Sequence, residues 1–148
     1  MSKDIRIKKG LDIKLVGGAE KTTKEISLSS FYAVKPEDFH GITPKLVAKE
    51  GTEIKAGDTL FYSKSDERIL FPSPVSGKVV EVVRGARRKV LAMKIAADTS
   101  QEHKDFGIKD IAKMSAEEVK NHLLASGCWP FVKQRPYDVV ANPNQAPK

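Results

Sequence analysis

The chain has 148 residues and carries 26 Lys and Arg against 19 Asp and Glu, a formal charge of +7. With 40% apolar and 30% charged residues, it is too apolar for a disordered polypeptide and long enough to bury a core without staples. The single cysteine, Cys128, excludes an internal disulfide framework and a cysteine-rich metal site. No run approaches the ~20 apolar residues of a helical membrane span, and Met1-Ser2-Lys3-Asp4 lacks the core of a signal peptide. The expectation is a soluble, cytoplasmic chain of one domain with an appendage.

Along the chain, Ile5, Ile7, Leu11, Ile13 and Leu15 alternate with charged residues at a period of two, which predicts half-buried strands around Lys9-Gly10. Gly17-Gly18 ends that section, and Glu20–Glu25 is polar enough for a loop. Short strands are predicted at Phe31–Val34, Leu46–Ala48, Thr52–Ile54, Thr59–Tyr62, Ile69–Phe71, Lys78–Val83 and Val90–Ile95, punctuated by glycine and proline. Many short strands with frequent turns predict a small sandwich or barrel, not a parallel sheet with crossover helices.

After Asp98 the character changes. A short helix is expected over Ile108–Met114. Ser115-Ala116-Glu117-Glu118 has the form of a capping box, so a helix is predicted over 116–126, with Gly127 at its C′ position. Val119, Leu123 and Leu124 form its apolar stripe, while Glu117, Lys120 and Asn121 should face water. The expected division is a β domain over 1–97, a helical and Pro-rich appendage over 98–140, and a linker over 141–148 leading to further domains.

The densest signal is Lys49-Glu50-Gly51-Thr52-Glu53-Ile54-Lys55-Ala56-Gly57-Asp58-Thr59-Leu60-Phe61, followed by Pro72-Ser73-Pro74-Val75-Ser76-Gly77-Lys78-Val79-Val80. Glycine suits the corners at Gly51 and Gly57, where tight turns call for positive φ. Pro72 and Pro74 cannot donate ladder hydrogen bonds and belong at a sheet edge or corner. The arrangement resembles the biotinyl/lipoyl-type barrel-sandwich hybrid, so the expected fold class is mostly β with a C-terminal helix. Carrier members of that fold present a lysine on the hairpin within Met-Lys-Met or Asp-Lys-Ala. Here the interval reads Ser63-Lys64-Ser65-Asp66-Glu67-Arg68, which lacks that context and puts Lys64 nearer the strand end than the tip. The fold resemblance therefore carries over, and the carrier function does not.

A closer resemblance rests on Ile7-Lys8-Lys9-Gly10-Leu11-Asp12-Ile13, His40-Gly41-Ile42-Thr43-Pro44-Lys45-Leu46, Leu123-Leu124-Ala125-Ser126-Gly127-Cys128-Trp129-Pro130 and Gln134-Arg135-Pro136-Tyr137. Together these are similar to the N-terminal region of the A-subunit family of sodium-translocating NADH:quinone oxidoreductases. The related C-subunit family of electron-transport complexes shares the barrel and competes for the assignment. The resemblance implies a non-catalytic structural and docking domain of a peripheral subunit on the cytoplasmic face of the bacterial inner membrane. Its partners would be the other membrane and peripheral subunits. The implied parent complex passes electrons through FAD, FMN, riboflavin and iron–sulfur centres to quinone, with these groups mainly in other subunits. This stretch would bind no cofactor itself and would meet quinone only through the full subunit.

No chemical constellation marks an independent enzyme. His40, His103 and His122 lie far apart, with no Cys-x-x-Cys and no dinucleotide fingerprint. Cys128 reads as a half-buried structural cysteine. Arg84-Gly85-Ala86-Arg87-Arg88-Lys89 is a basic turn between two apolar strands, with Gly85 permitting the reversal. Arg84, Arg87 and Arg88 are candidates for electrostatic docking to a neighbouring subunit or to anionic lipid. A second candidate is a structural or interdomain clasp of Trp129, Phe131, Arg135, Pro136 and Tyr137. The positive charge alone also fits an RNA-binding β-barrel, but the basic residues are scattered and rarely interleaved with aromatics, so no nucleic-acid partner is expected.

Overall fold

A computed structural model describes Gly10 and residues 15–145. The strands expected around Ile5–Ile13 lie outside the described residues. Glycine and proline corners divide residues 31–97 into β1 (Phe31–Val34), β2 (Pro44–Leu46), β3 (Glu53–Ile54), β4 (Thr59–Ser63), β5 (Asp66–Pro72), β6 (Gly77–Arg84) and β7 (Val90–Ala97). They form two antiparallel sheets, one ordered β1-β7-β6-β3 and the other β2-β4-β5. This is the barrel-sandwich hybrid anticipated from the motif pair.

The core between and around the sheets is built from Leu60, Phe61, Phe71, Val79, Met93 and Ile95, each essentially inaccessible. Full burial of such a side chain is worth about 1.5–3 kcal/mol. Leu60 and Phe61 are adjacent in β4 and both fully buried, at a register irregularity between Thr59 and Phe61 that interrupts the regular alternation of faces. Phe71 pairs with Phe61 in the ladder, stacks on it at 4.6 Å, and meets Phe39 edge-on at 4.8 Å. The outer cover comes from the C-terminal segment, which packs its helix and the Trp129–Phe131 turn against β5.

That helix, α1 (Ala116–Ala125), begins at the expected capping box. Ser115 Oγ accepts from the Glu118 N–H at 3.3 Å, and Glu118 Oε2 accepts from the Ser115 N–H at 2.8 Å. The Ser115 N–H, and after it the Ser115 hydroxyl donating to Glu118 Oε2 at 2.7 Å, hold the Glu118 carboxyl below its ordinary range. At the other end Gly127 has φ +73°. The Cys128 N–H reaches Leu123 O at 3.0 Å and the Gly127 N–H reaches Leu124 O at 3.2 Å, a Schellman closure. Leu124 is buried, Val119 and Leu123 are half-buried, and Lys120 pairs with Glu117 at 2.6 Å. A small hairpin follows, β8 (Lys133–Gln134) and β9 (Val139–Val140).

Two expected elements differ. The strand predicted at Leu46–Ala48 ends at Leu46, because Leu60 O accepts from both Val47 N (2.9 Å) and Ala48 N (3.1 Å) and turns the chain off the ladder. The helix predicted at Ile108–Met114 is only one 3-10 turn at Ile111–Lys113. Ile108 and Ile111 are exposed there, so no buried face stabilises a longer helix.

Candidate docking site

The basic turn is the end of the longest hairpin among the described residues, β6–β7, whose strands are eight residues each. Arg84 is the last residue of β6 and sends Nη1 to Arg88 O at 3.1 Å. The Lys89 N–H closes onto Ala86 O at 3.2 Å, and the Gly85 N–H closes onto Lys89 O at 2.8 Å. The residues between, Arg87 (φ 54°, ψ 31°) and Arg88 (φ 62°), both lie in the left-handed region. Gly85 itself is extended at φ −100° and ψ −160°, so the expectation that it makes the reversal is corrected. Its missing side chain instead lets Leu91 approach, a Cβ there falling 3.1 Å from Leu91 Cδ1.

All three arginines are exposed. The neighbouring charges are already matched. Lys89 Nζ meets Glu37 Oε1 at 2.6 Å, and this bond holds the Glu37 carboxyl below its usual range. Lys35 lies 3.8 Å from Asp38, and Lys94 lies 2.7 Å from Glu81. Among the described residues neither Arg87 nor Arg88 has an ion-pair partner.

Lys64 requires a second correction. Ser63 pairs with Asp66 across β4 and β5, so Lys64-Ser65 is a two-residue turn and Lys64 stands at the hairpin tip, exposed. The register shift between Tyr62 and Ser63 shortens the strand end and moves the lysine outward. Beside it, buried Ser63 shares a 2.8 Å hydroxyl bond with Ser65. The Arg68 guanidinium grips Asp66 through Nε (3.0 Å) and Nη2 (2.7 Å) and holds its carboxyl below the ordinary range against the effect of partial burial. Arg68 Nη2 also reaches Asn144 Oδ1 at 2.7 Å, which ties residues 141–145 to this hairpin, and Pro143 is buried. A cavity of about 210 Å³ lies between the hairpin and that segment.

A larger open cleft, about 480 Å³, is bounded by Glu53, Lys55, Asp58, Lys78, Asp98 and Glu102. Two ion pairs lie at it: Lys55 meets Glu102 at 2.9 Å, and Lys104, from outside the lining, lies 3.7 Å from Asp58. Among the described residues no group of three or more His, Cys, Asp and Glu is placed to hold a metal ion, and no helix is long and apolar enough to cross a membrane.

The clasp divides. Trp129 is 9% exposed, and its Nε1 donates to Ala141 O at 2.8 Å, so its ring and its polar edge are both engaged. Phe131 is 69% exposed and meets Phe39 edge-on, at 6.1 Å between centroids. Arg135, Pro136 and Tyr137 occupy the exposed β8–β9 turn, so they take no part in a structural clasp onto the barrel, and their exposure leaves the interdomain alternative open. Cys128 is likewise exposed, not half-buried. The missed clasp partners are Phe39 and the Ala141 carbonyl; nothing in the local sequence pattern marks a backbone acceptor twelve residues downstream.

Comparison with known proteins identifies the architecture. Residues 5–98 match the family model described as the NqrA N-terminal barrel-sandwich hybrid domain. The chain belongs to the NqrA family. Residues 114–148, which begin beside α1, match the NqrA second alpha/beta domain. Curated NqrA relatives are named as the A-subunit of Na(+)-translocating NADH-quinone reductase. The one from Tolumonas auensis is 35% identical over 150 residues, covering 97% of this chain and 33% of its own length. That from Yersinia pestis is 30% identical over 146 residues with the same shares, and that from Neisseria meningitidis is 31% identical over 138 residues, covering 92% and 31%. These names decide between the two resemblances in favour of the NADH-quinone reductase, and the chain spans about a third of the length of these relatives.

Proposed function

We propose that the chain is the non-catalytic docking and structural part of the NqrA subunit in a sodium-translocating NADH:quinone reductase. The observation that carries this reading is the ordered match of residues 5–98 and then 114–148 to consecutive NqrA domains. In this reading the described part of residues 1–97 serves as a rigid barrel, and residues 98–140 pack on it through Trp129 and Leu124. The subunit is peripheral on the cytoplasmic face and meets the membrane and peripheral subunits that hold flavins, iron–sulfur centres and quinone sites. Arg84, Arg87 and Arg88 present positive charge to one of those partners. Charges at the rim of such an interface act mainly on association and its salt dependence, whereas charges paired within it act on dissociation. The purified chain should therefore be colourless and oxidise no NADH, and stoichiometric flavin retained after purification would refute the non-catalytic reading.

A second reading has one observation in its favour: Lys64 stands at a hairpin tip, where a prosthetic group could be attached. Its neighbours are Ser63, Ser65 and Asp66 in place of Asp-Lys-Ala or Met-Lys-Met, so Lys64 should be unmodified. Intact mass of protein made in its native host should equal the sequence mass. An increase equal to a lipoyl or biotinyl group would establish the carrier reading instead.

A further inference from the structure

The hydrogen bond from Lys89 N to Ala86 O closes a β-turn whose two central residues, Arg87 and Arg88, both have positive φ. This is the backbone of a type I′ turn, for which Asn-Gly is the relaxed choice because side chains with a Cβ are strained in the left-handed region. The chain places two adjacent arginines there. A local rule broken without a compensating contact inside the molecule points outward, to a function that needs those side chains. We propose that Arg87 and Arg88 form a two-pronged recognition element for a pair of carboxylates on a partner protein, a reading that rests on the docking function above.

A protein surface fits this turn better than a lipid surface. Adsorption to anionic lipid depends on a broad cluster of unmatched basic residues, about four to eight of them. Here Lys35, Lys89 and Lys94 are each paired, with Asp38, Glu37 and Glu81, so the unmatched positive charge of this turn is confined to its three arginines, fewer than such a cluster. Residues 84–89 include no large apolar side chain that would enter a bilayer. What remains is two guanidinium forks on a fixed turn, a geometry matched to bidentate pairing with carboxylates.

The test is co-expression of the chain with the other subunits of the reductase, purification in detergent, and measurement of the chain's dissociation rate. Three versions are compared: the parent, Arg87→Asn/Arg88→Gly, and Arg87→Lys/Arg88→Lys. Relief of the turn should raise the melting midpoint of Arg87→Asn/Arg88→Gly by about 3–6 °C. The same variant should dissociate at least about tenfold faster, because its two charge-assisted pairs are gone. The lysine variant keeps the charge without the forks and should recover only part of the loss. A photo-crosslinker at position 87 should label an Asp- or Glu-bearing peptide of another subunit. Equal dissociation of parent and Arg87→Asn/Arg88→Gly would overturn the proposal, as would full recovery by the lysine variant or crosslinks to lipid or nucleic acid. A parent chain that never assembles would instead refute the docking function itself.

Discussion

At Gly77 the backbone of β6 runs so close to β7 that a methyl group has no room. A Cβ there would lie 2.0 Å from Ala96 O, and φ is +153°. Both objects in the clash are backbone, so neither can rotate away. Gly77→Ala should cost about 3 kcal/mol, read as a lower urea midpoint at an unchanged slope; a shift within error would mean that the strands can part cheaply. Asp66 contributes stability that depends on pH. Its carboxyl is depressed in the folded state by Arg68. The contribution is therefore complete above the unfolded carboxylate value of about 4 and is lost as pH falls through the lower folded value. Arg68 is 46% exposed, so the ion pair is screened and Asp66→Asn should cost only about 1 kcal/mol at neutral pH. Denaturation curves of the two proteins should converge in acid; a constant gap down to the lowest pH would assign the effect to packing instead of charge.

Among the elements, the helix and its closure were legible from a handful of residues, because Ser115, Glu118 and Gly127 act on their own local backbone. The barrel was legible for a related reason: Gly51, Gly57 and Gly77 all adopt positive φ, and Pro72 ends the edge strand β5. What could not be read depends on register between distant strands. The shift beside Ser63 places Lys64 at the tip, and the doubly used carbonyl of Leu60 stops β2 early. Gly85 misled because a glycine beside a turn looks like its pivot, whereas two arginines carry the positive φ. The clasp was half legible, since one tryptophan announces burial but cannot say which aromatics join it. Trp129 fluorescence should be blue-shifted and protected from iodide. Trp129→Ala should cost about 3–5 kcal/mol, and Trp129→Phe, which loses the bond to Ala141 O, about 1 kcal/mol beyond any packing change. Free quenching of a red-shifted emission in the folded chain would contradict the packing of residues 129–141 on β5.

For the whole molecule, the sheets, α1 and the β8–β9 hairpin make one body, from which the basic turn projects with Arg87 and Arg88 free of ion pairs among the described residues. That exposed charge is what the proposed docking role would use. Net charge of +7 supports encounter with an acidic surface but says nothing of the chemistry beyond it. The most direct test is membrane co-sedimentation of the tagged chain from cells that contain, or lack, the other subunits of the reductase. A docking role predicts that the chain pellets with membranes when those subunits are present, is released as salt is raised, and stays in the supernatant when they are missing. A chain that distributes identically in both strains would contradict it.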